Sequence, residues 1–141
     1  AMVLVRLNRE LPRAIAALHR NLHHDEWRVS YGVVLALGDL DSDSSAAVEP
    51  LRGWLKSDDA TARWRAAYAM VRIGPAAQPA ADDLIALLQD SDVRVREGAA
   101  YALGAIEAKA AAVASALEVA LQDKDAKVRF RAQESLERLR L

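Results

Sequence analysis

The chain has 141 residues, with 19 Lys and Arg against 20 Asp and Glu and a formal charge of −1, a length that suits one cooperative domain rather than two. The balance of charge removes the simplest electrostatic case for a nucleic-acid or membrane-surface partner, and the absence of cysteine excludes a disulfide framework and a thiolate zinc site. Apolar residues make up 52% of the chain but aromatic ones only 5%, so alanine carries much of the packing, helices are expected and strands are not.

A gapless shift of 33 residues lays Arg63-Trp64-Arg65-Ala66-Ala67-Tyr68-Ala69-Met70 over Arg96-Glu97-Gly98-Ala99-Ala100-Tyr101-Ala102-Leu103. The same shift aligns Leu22, Leu55, Leu88 and Leu121; Val29, Ala62, Val95 and Val128; Val33, Ala66, Ala99 and Ala132; Leu37, Met70, Leu103 and Leu136; and Leu40, Ile73, Ile106 and Leu139. Agreement across so many columns marks a repeat architecture. The apolar positions recur at helical spacing, so each unit is a helical hairpin made of a longer A helix and a shorter B helix.

In chain order, Met2-Val3-Leu4-Val5 is an uninterrupted apolar run, and Leu4 and Leu7 fall on the tail of an A helix whose first half is absent. That edge is expected to pack on preceding sequence or to drive self-association, so residues 1–141 read as one domain and as a fragment of something larger. A B helix follows on Ile15, Leu18 and Leu22. At its end come His19, His23 and His24, with Asp25 and Glu26 beyond. His19 and His23 are spaced to share a helix face, as a metal ion would need. The plainer reading places imidazoles at the negative end of a helix dipole, and no metal or other cofactor is expected.

The first full A helix is predicted over 27–40, and Asp41-Ser42-Asp43-Ser44-Ser45 then forms a loop. Its opening resembles a calcium loop, but Ala46 and Arg52 stand where glycine and a bidentate glutamate are needed. The next B helix carries Val48, Leu51 and Leu55, and A helices are predicted over 60–73, 93–106 and 126–139, with B helices on Ala81, Leu84 and Leu88 and on Ala114, Leu117 and Leu121. Asp59, Asp92 and Asp125 are placed to cap the three later A helices. Gly74-Pro75 stops one of these, and Pro79 suits the first turn of the B helix that follows. The last A helix, polar at Gln133, Glu134, Glu137 and Arg138, reads as a terminal cap.

The segments Leu88-Gln89-Asp90-Ser91-Asp92-Val93-Arg94-Val95-Arg96, Ala47-Val48-Glu49-Pro50-Leu51 and Ala99-Ala100-Tyr101-Ala102-Leu103-Gly104 resemble the HEAT-like repeats named after phycobilisome lyases. The resemblance covers nearly the whole chain. It implies an all-α, right-handed α-α superhelix, a HEAT-like solenoid of about four hairpins with half-repeats at the ends. It further implies a polar ladder in which an aspartate and an arginine six residues apart link successive repeats. The matching pairs are Asp90 with Arg96 and Asp123 with Arg129. The second unit keeps Arg63 but has Ser57, and the first has His24 and Ser30, so the ladder is expected to weaken toward the N-terminus.

In such solenoids the B helices line the concave face, where partners bind. The candidate partner-binding residues are therefore Glu49, Arg52, Trp54, Asp82, Ile85 and Glu118, with Trp54 as the anchor and Ile85 and Val119 exposed near the middle. A mixed surface of this kind suits a protein or peptide better than a polyanion. Tyr31, Trp64 and Phe130 share one repeat position, with Glu97 as the exception and Tyr68 and Tyr101 a turn onward. These rings are expected at the margin of the apolar stripe, where they stack between repeats and shield the joints or serve as an interface. Arg28, Arg94 and Lys127, then Arg65 and Arg131, then Arg72 and Arg138, form a basic stripe along the A helices. Such a ridge could follow phosphates, as DNA-binding HEAT-like glycosylases do, or be a solvated face paired with the turn aspartates.

No nucleophile-base-acid set and no phosphate loop is visible, and the His-Glu dyads of the iron-bearing HEAT-like hydroxylases are absent. The expectation is a non-catalytic protein-interaction scaffold. Nucleic-acid binding through the basic stripe, or an auxiliary role in a bilin lyase-like or other enzyme, is the alternative. No stretch approaches the roughly 18 unbroken apolar residues of a membrane span, so no membrane partner and a cytoplasmic location are expected.

Overall fold

A carboxylate decides where each long helix starts. Asp59 accepts hydrogen bonds from the backbone N–H of Thr61 at 2.8 Å and of Ala62 at 3.4 Å. Asp92 accepts from the N–H of Arg94, and Asp125 from that of Lys127, both at 2.8 Å. Each satisfies amides that have no partner within the helix. In the computed structural model, which describes residues 45–140 with side chains from Val48 onward, these caps precede the three A helices. They are α2 (Ala60–Ile73), α4 (Val93–Ala105) and α6 (Ala126–Arg140), and the B helices are α1 (Ser45–Leu55), α3 (Ala81–Leu87) and α5 (Ala111–Ala120).

All described elements are helical. The apolar run at 2–5, the Leu4–Leu7 tail, the first B helix with its histidines and the helix expected over 27–40 lie outside the described residues. So does the 41–45 loop except Ser45, which opens α1.

The repeat columns become the core. Ala66, Ala99 and Ala132 are fully buried, as are Met70 and Leu103, with Leu136 nearly so. The fifth column is less uniform: Ile106 is buried, while Ile73 and Leu139 only flank the core. The A helices pack side by side, α2 on α4 and α4 on α6, and each rests on its own B helix. The described residues therefore form two layers, one of A helices and one of B helices.

Small residues set how closely the A layer packs. A Cβ built on Gly104 would lie 2.7 and 2.8 Å from Cβ and Cα of Ser135, so α4 and α6 nearly touch backbone to backbone there. Ser135 is buried at 2% exposure, and its hydroxyl donates to the carbonyl of Ala100 at 2.6 Å. That bond satisfies the one buried hydroxyl in the seam.

Gly74 ends α2 with φ of 74°, its N–H donating to the carbonyl of Met70. Glu107 occupies the same repeat position after α4 and takes φ of 56°, a conformation that glycine adopts far more readily. Pro79 does not open the B helix as expected. It lies in a 3-10 segment, Gly74–Ala80, ahead of α3. Pro75 and Pro79 have no N–H to give to an α-helical ladder, and Ala77 and Ala80 turn into the core instead.

Candidate functional site

The turns joining each B helix to the next A helix share one construction. After α3, the amides of Leu88, Gln89 and Asp90 bond three residues back, and after α5 those of Gln122 and Asp123 do the same. This tightening delivers Ser57, Asp90 and Asp123 to one position. Their side-chain oxygens accept from the amides of Asp59, Asp92 and Asp125 at 3.1, 2.9 and 2.9 Å. Arg63, Arg96 and Arg129 then return from the A helices and donate to the carbonyls of Ser57, Asp90 and Asp123 at 2.8, 2.9 and 2.7 Å.

The expected pairs six residues apart thus meet through a backbone carbonyl, and the carboxylate goes to a different arginine. Arg63 donates to Asp90 through Nε at 2.8 Å and Nη2 at 3.1 Å across 27 residues. Arg96 donates to Asp123 at 3.0 and 3.4 Å across the same separation. The cause is steric economy: the aspartate already turns one oxygen onto its own loop, which aims the carboxylate at the preceding repeat. Each arginine is a cross-member between its own turn and the next.

Ser57 keeps the loop bond of its aspartate counterparts but has no charge to offer. The step between the described repeats, Arg63 to Asp90, is intact nonetheless. Ser30 and His24 lie outside the described residues. Burial alone would raise the Asp123 carboxyl, but the Asp125 amide and Arg96 outweigh it and hold the group below the ordinary carboxylate range.

The basic stripe and the aromatic column merge on the A layer. Trp64 meets Tyr68 edge-on at 5.9 Å, and Tyr68 meets Tyr101 edge-on at 5.8 Å. Arg65 and Arg94 lie over Trp64 at 4.7 and 5.1 Å, and Arg131 over Tyr101 at 3.9 Å. Glu97, the exception in the column, is its hub: it accepts from the Tyr68 hydroxyl at 3.3 Å and from Arg131 at 3.4 Å. Burial and Glu97 together push the Tyr68 hydroxyl up, with Arg131 opposing. Phe130 lies at the far end and is 64% exposed. Tyr31 and Arg28 are outside the described residues.

On the B layer, Arg52 donates to Asp83 at 2.7 Å and to Glu49 at 3.0 Å, and Lys56 also reaches Asp83. Arg52 therefore ties α1 to α3 and is less available to a partner than its sequence position suggests. Trp54 is half-buried against the core, and so is Ile85, contrary to its expected exposure; Val119, Asp82 and Glu118 are exposed as expected. Asp83 and Ser135 escaped sequence reasoning. Asp83 has proline and alanine at the equivalent positions, Pro50 and Ala116, and so belongs to no column.

Two layers of helices in a constant register, tied only to their nearest neighbours by a turn ladder, define an α-helical repeat protein. The family model for HEAT repeats matches residues 1–71 and 48–137, and the chain belongs to that family. A search of the curated proteins finds no match. Among the described residues no helix is long and apolar enough to cross a membrane.

Proposed function

We propose that this HEAT-repeat chain is a non-catalytic scaffold that binds a protein or peptide on its B-helix face, within a right-handed superhelix of about four hairpins and in the cytoplasm. The observation that carries this reading is the contrast between the two layers. Arg94, Arg65 and Arg131 on the A layer lie over aromatic rings, and Arg94 and Arg131 also pair with Asp92, Glu97 and Glu134. A phosphate backbone would have to displace those contacts. The B layer leaves Asp82, Glu118 and Val119 open to solvent, an interleaving of charge with an aliphatic side chain that suits a protein surface.

The test is a partner identified by cross-linking and then titrated calorimetrically against Asp82→Arg and Glu118→Arg. Both side chains are exposed, so both variants should stay folded, Glu118→Arg with a wild-type midpoint and Asp82→Arg slightly lower because Asp82 lies in the first turn of α3. Affinity should fall about tenfold, or 1.4 kcal/mol. If affinity survives both and is lost on changing Lys127 and Arg94 instead, the B-face assignment fails. A steep fall of oligonucleotide affinity with salt would favour the nucleic-acid reading.

A further inference from the structure

A cavity of about 560 Å³ opens between the turn after α3 and the end of α5, lined by Leu88, Gln89, Ser91, Val119, Gln122 and Lys124 among others. That volume falls within the roughly 300–1,000 Å³ of built ligand pockets. Its wall contains Asp90, Asp123 and Arg96, but their charges are already matched. Asp90 is held by Arg63, and Asp123 by Arg96, while Arg96 also gives to the carbonyls of Asp90 and Ser91.

The groups without a partner tell what the cavity lacks. Lys124 makes no hydrogen bond or salt bridge among the described residues, although its charge acts on Asp123. The side-chain amides of Gln89 and Gln122, one repeat apart, likewise have no partner among the described residues. Each amide offers a donor and an acceptor, the pair that an extended peptide backbone presents along its edge. Val119 is 60% exposed beside buried Ala120 and Leu88, so an aliphatic surface borders the same opening.

We infer that this groove receives an extended segment of a partner protein that carries an aliphatic side chain close to a carboxylate. The aliphatic group covers Val119, the carboxylate pairs with Lys124, and the backbone bonds the amides of Gln89 and Gln122. A basic segment meets an unpaired ammonium and no available acid. A phosphate satisfies Lys124 but leaves Val119 uncovered. The inference rests on the scaffold reading above and narrows it to one place and one chemistry.

The experiment is an amide-shift titration of the ¹⁵N-labelled chain. The probes are blocked octapeptides of glycine and serine with one leucine and one aspartate at varied separations, the same peptides with lysine for aspartate, and a single-stranded oligonucleotide. At least one aspartate peptide should shift amides at Leu88–Ser91 and Val119–Lys124, with affinity five-fold or more above its lysine counterpart. Lys124→Gln should abolish that preference with at most a slight fall in melting midpoint, since its charge also favours the Asp123 carboxylate, and Val119→Asp should weaken binding about tenfold with an unchanged midpoint. Absence of binding by every aspartate peptide overturns the inference, as does equal binding of the lysine peptides or a stronger response to the oligonucleotide at the same amides. Shifts confined to the neighbourhood of Trp54 and Asp82 overturn the groove but leave the scaffold reading in place.

Discussion

Arg96 and Asp123 face each other across a repeat joint, Nε to Oδ2 at 3.0 Å, with side chains only 8% and 11% exposed. Removing one member leaves the other charged and largely shielded from water, and losses at such pairs typically run to about 3 kcal/mol. Arg96→Met is therefore expected to lower unfolding free energy by about 3 kcal/mol in urea melts. Arg129, exposed and bonded among the described residues only to the Asp123 carbonyl, should tolerate the same change at a cost of less than about 1 kcal/mol. Equal costs would contradict the ladder.

The same carboxylate sets an acid limit. Its folded pKa lies below the unfolded value, so the stability it contributes is complete above about pH 4 and is lost as pH falls through the depressed folded value. Urea midpoints measured from pH 6 down to pH 3 should decline on the acid side. Asp123→Asn should start less stable at pH 6 and show a shallower decline. Parallel curves for the two proteins would place the acid sensitivity elsewhere.

Gly104→Ala puts a methyl group into Ser135, whose Cβ and Cα stand 2.7 and 2.8 Å from the added atom. Part of this contact is backbone, so the helices have to separate, and a loss of about 2 kcal/mol is expected. Adding Ser135→Gly should return some of that space, so the double variant should lose less than the sum of the two singles. Strict additivity in thermal melts would show that the seam is looser than described.

Glu107 works in the opposite direction. Glycine at this position relieves a φ of 56°, at the loss of a long, half-exposed contact to Arg138 at 3.9 Å. Glu107→Gly should raise stability by about 0.5–1 kcal/mol, whereas Gly74→Ala, at φ of 74°, should lower it by a similar amount. A destabilised Glu107→Gly would mean that the Arg138 contact outweighs the strain.

The layers, the A-helix limits and their caps were legible because they depend on positions within one repeat, whereas the start of α3 was not, since Pro79 lies in a 3-10 segment ahead of it. Val95, Ala99 and Leu103 recur at a helical period, and Asp92 precedes them at a capping distance, so the register follows from spacing alone. What escaped the sequence depends on the distance between neighbouring helices and on rotamers. The choice of Asp90 by Arg63, rather than by Arg96, turns on which way one carboxylate is already committed. Glu97 seemed to interrupt an aromatic column, yet it receives two donors there because Tyr68 and Arg131 converge from flanking helices. Ile85 and Val119 could not be ranked by exposure, since a fraction of a helical turn separates a half-buried side chain from an open one.

The near-contact of Gly104 with Ser135, locked by the hydroxyl on Ala100, fixes α4 against α6 on the A side. On the other side Arg96 joins the turn after α3 to the carboxylate of Asp123 in the turn after α5. The two repeats are therefore stitched along two separate lines, one of backbone contact and one of charge, and the groove between Gln89 and Gln122 keeps its width because neither line can slide without breaking the other.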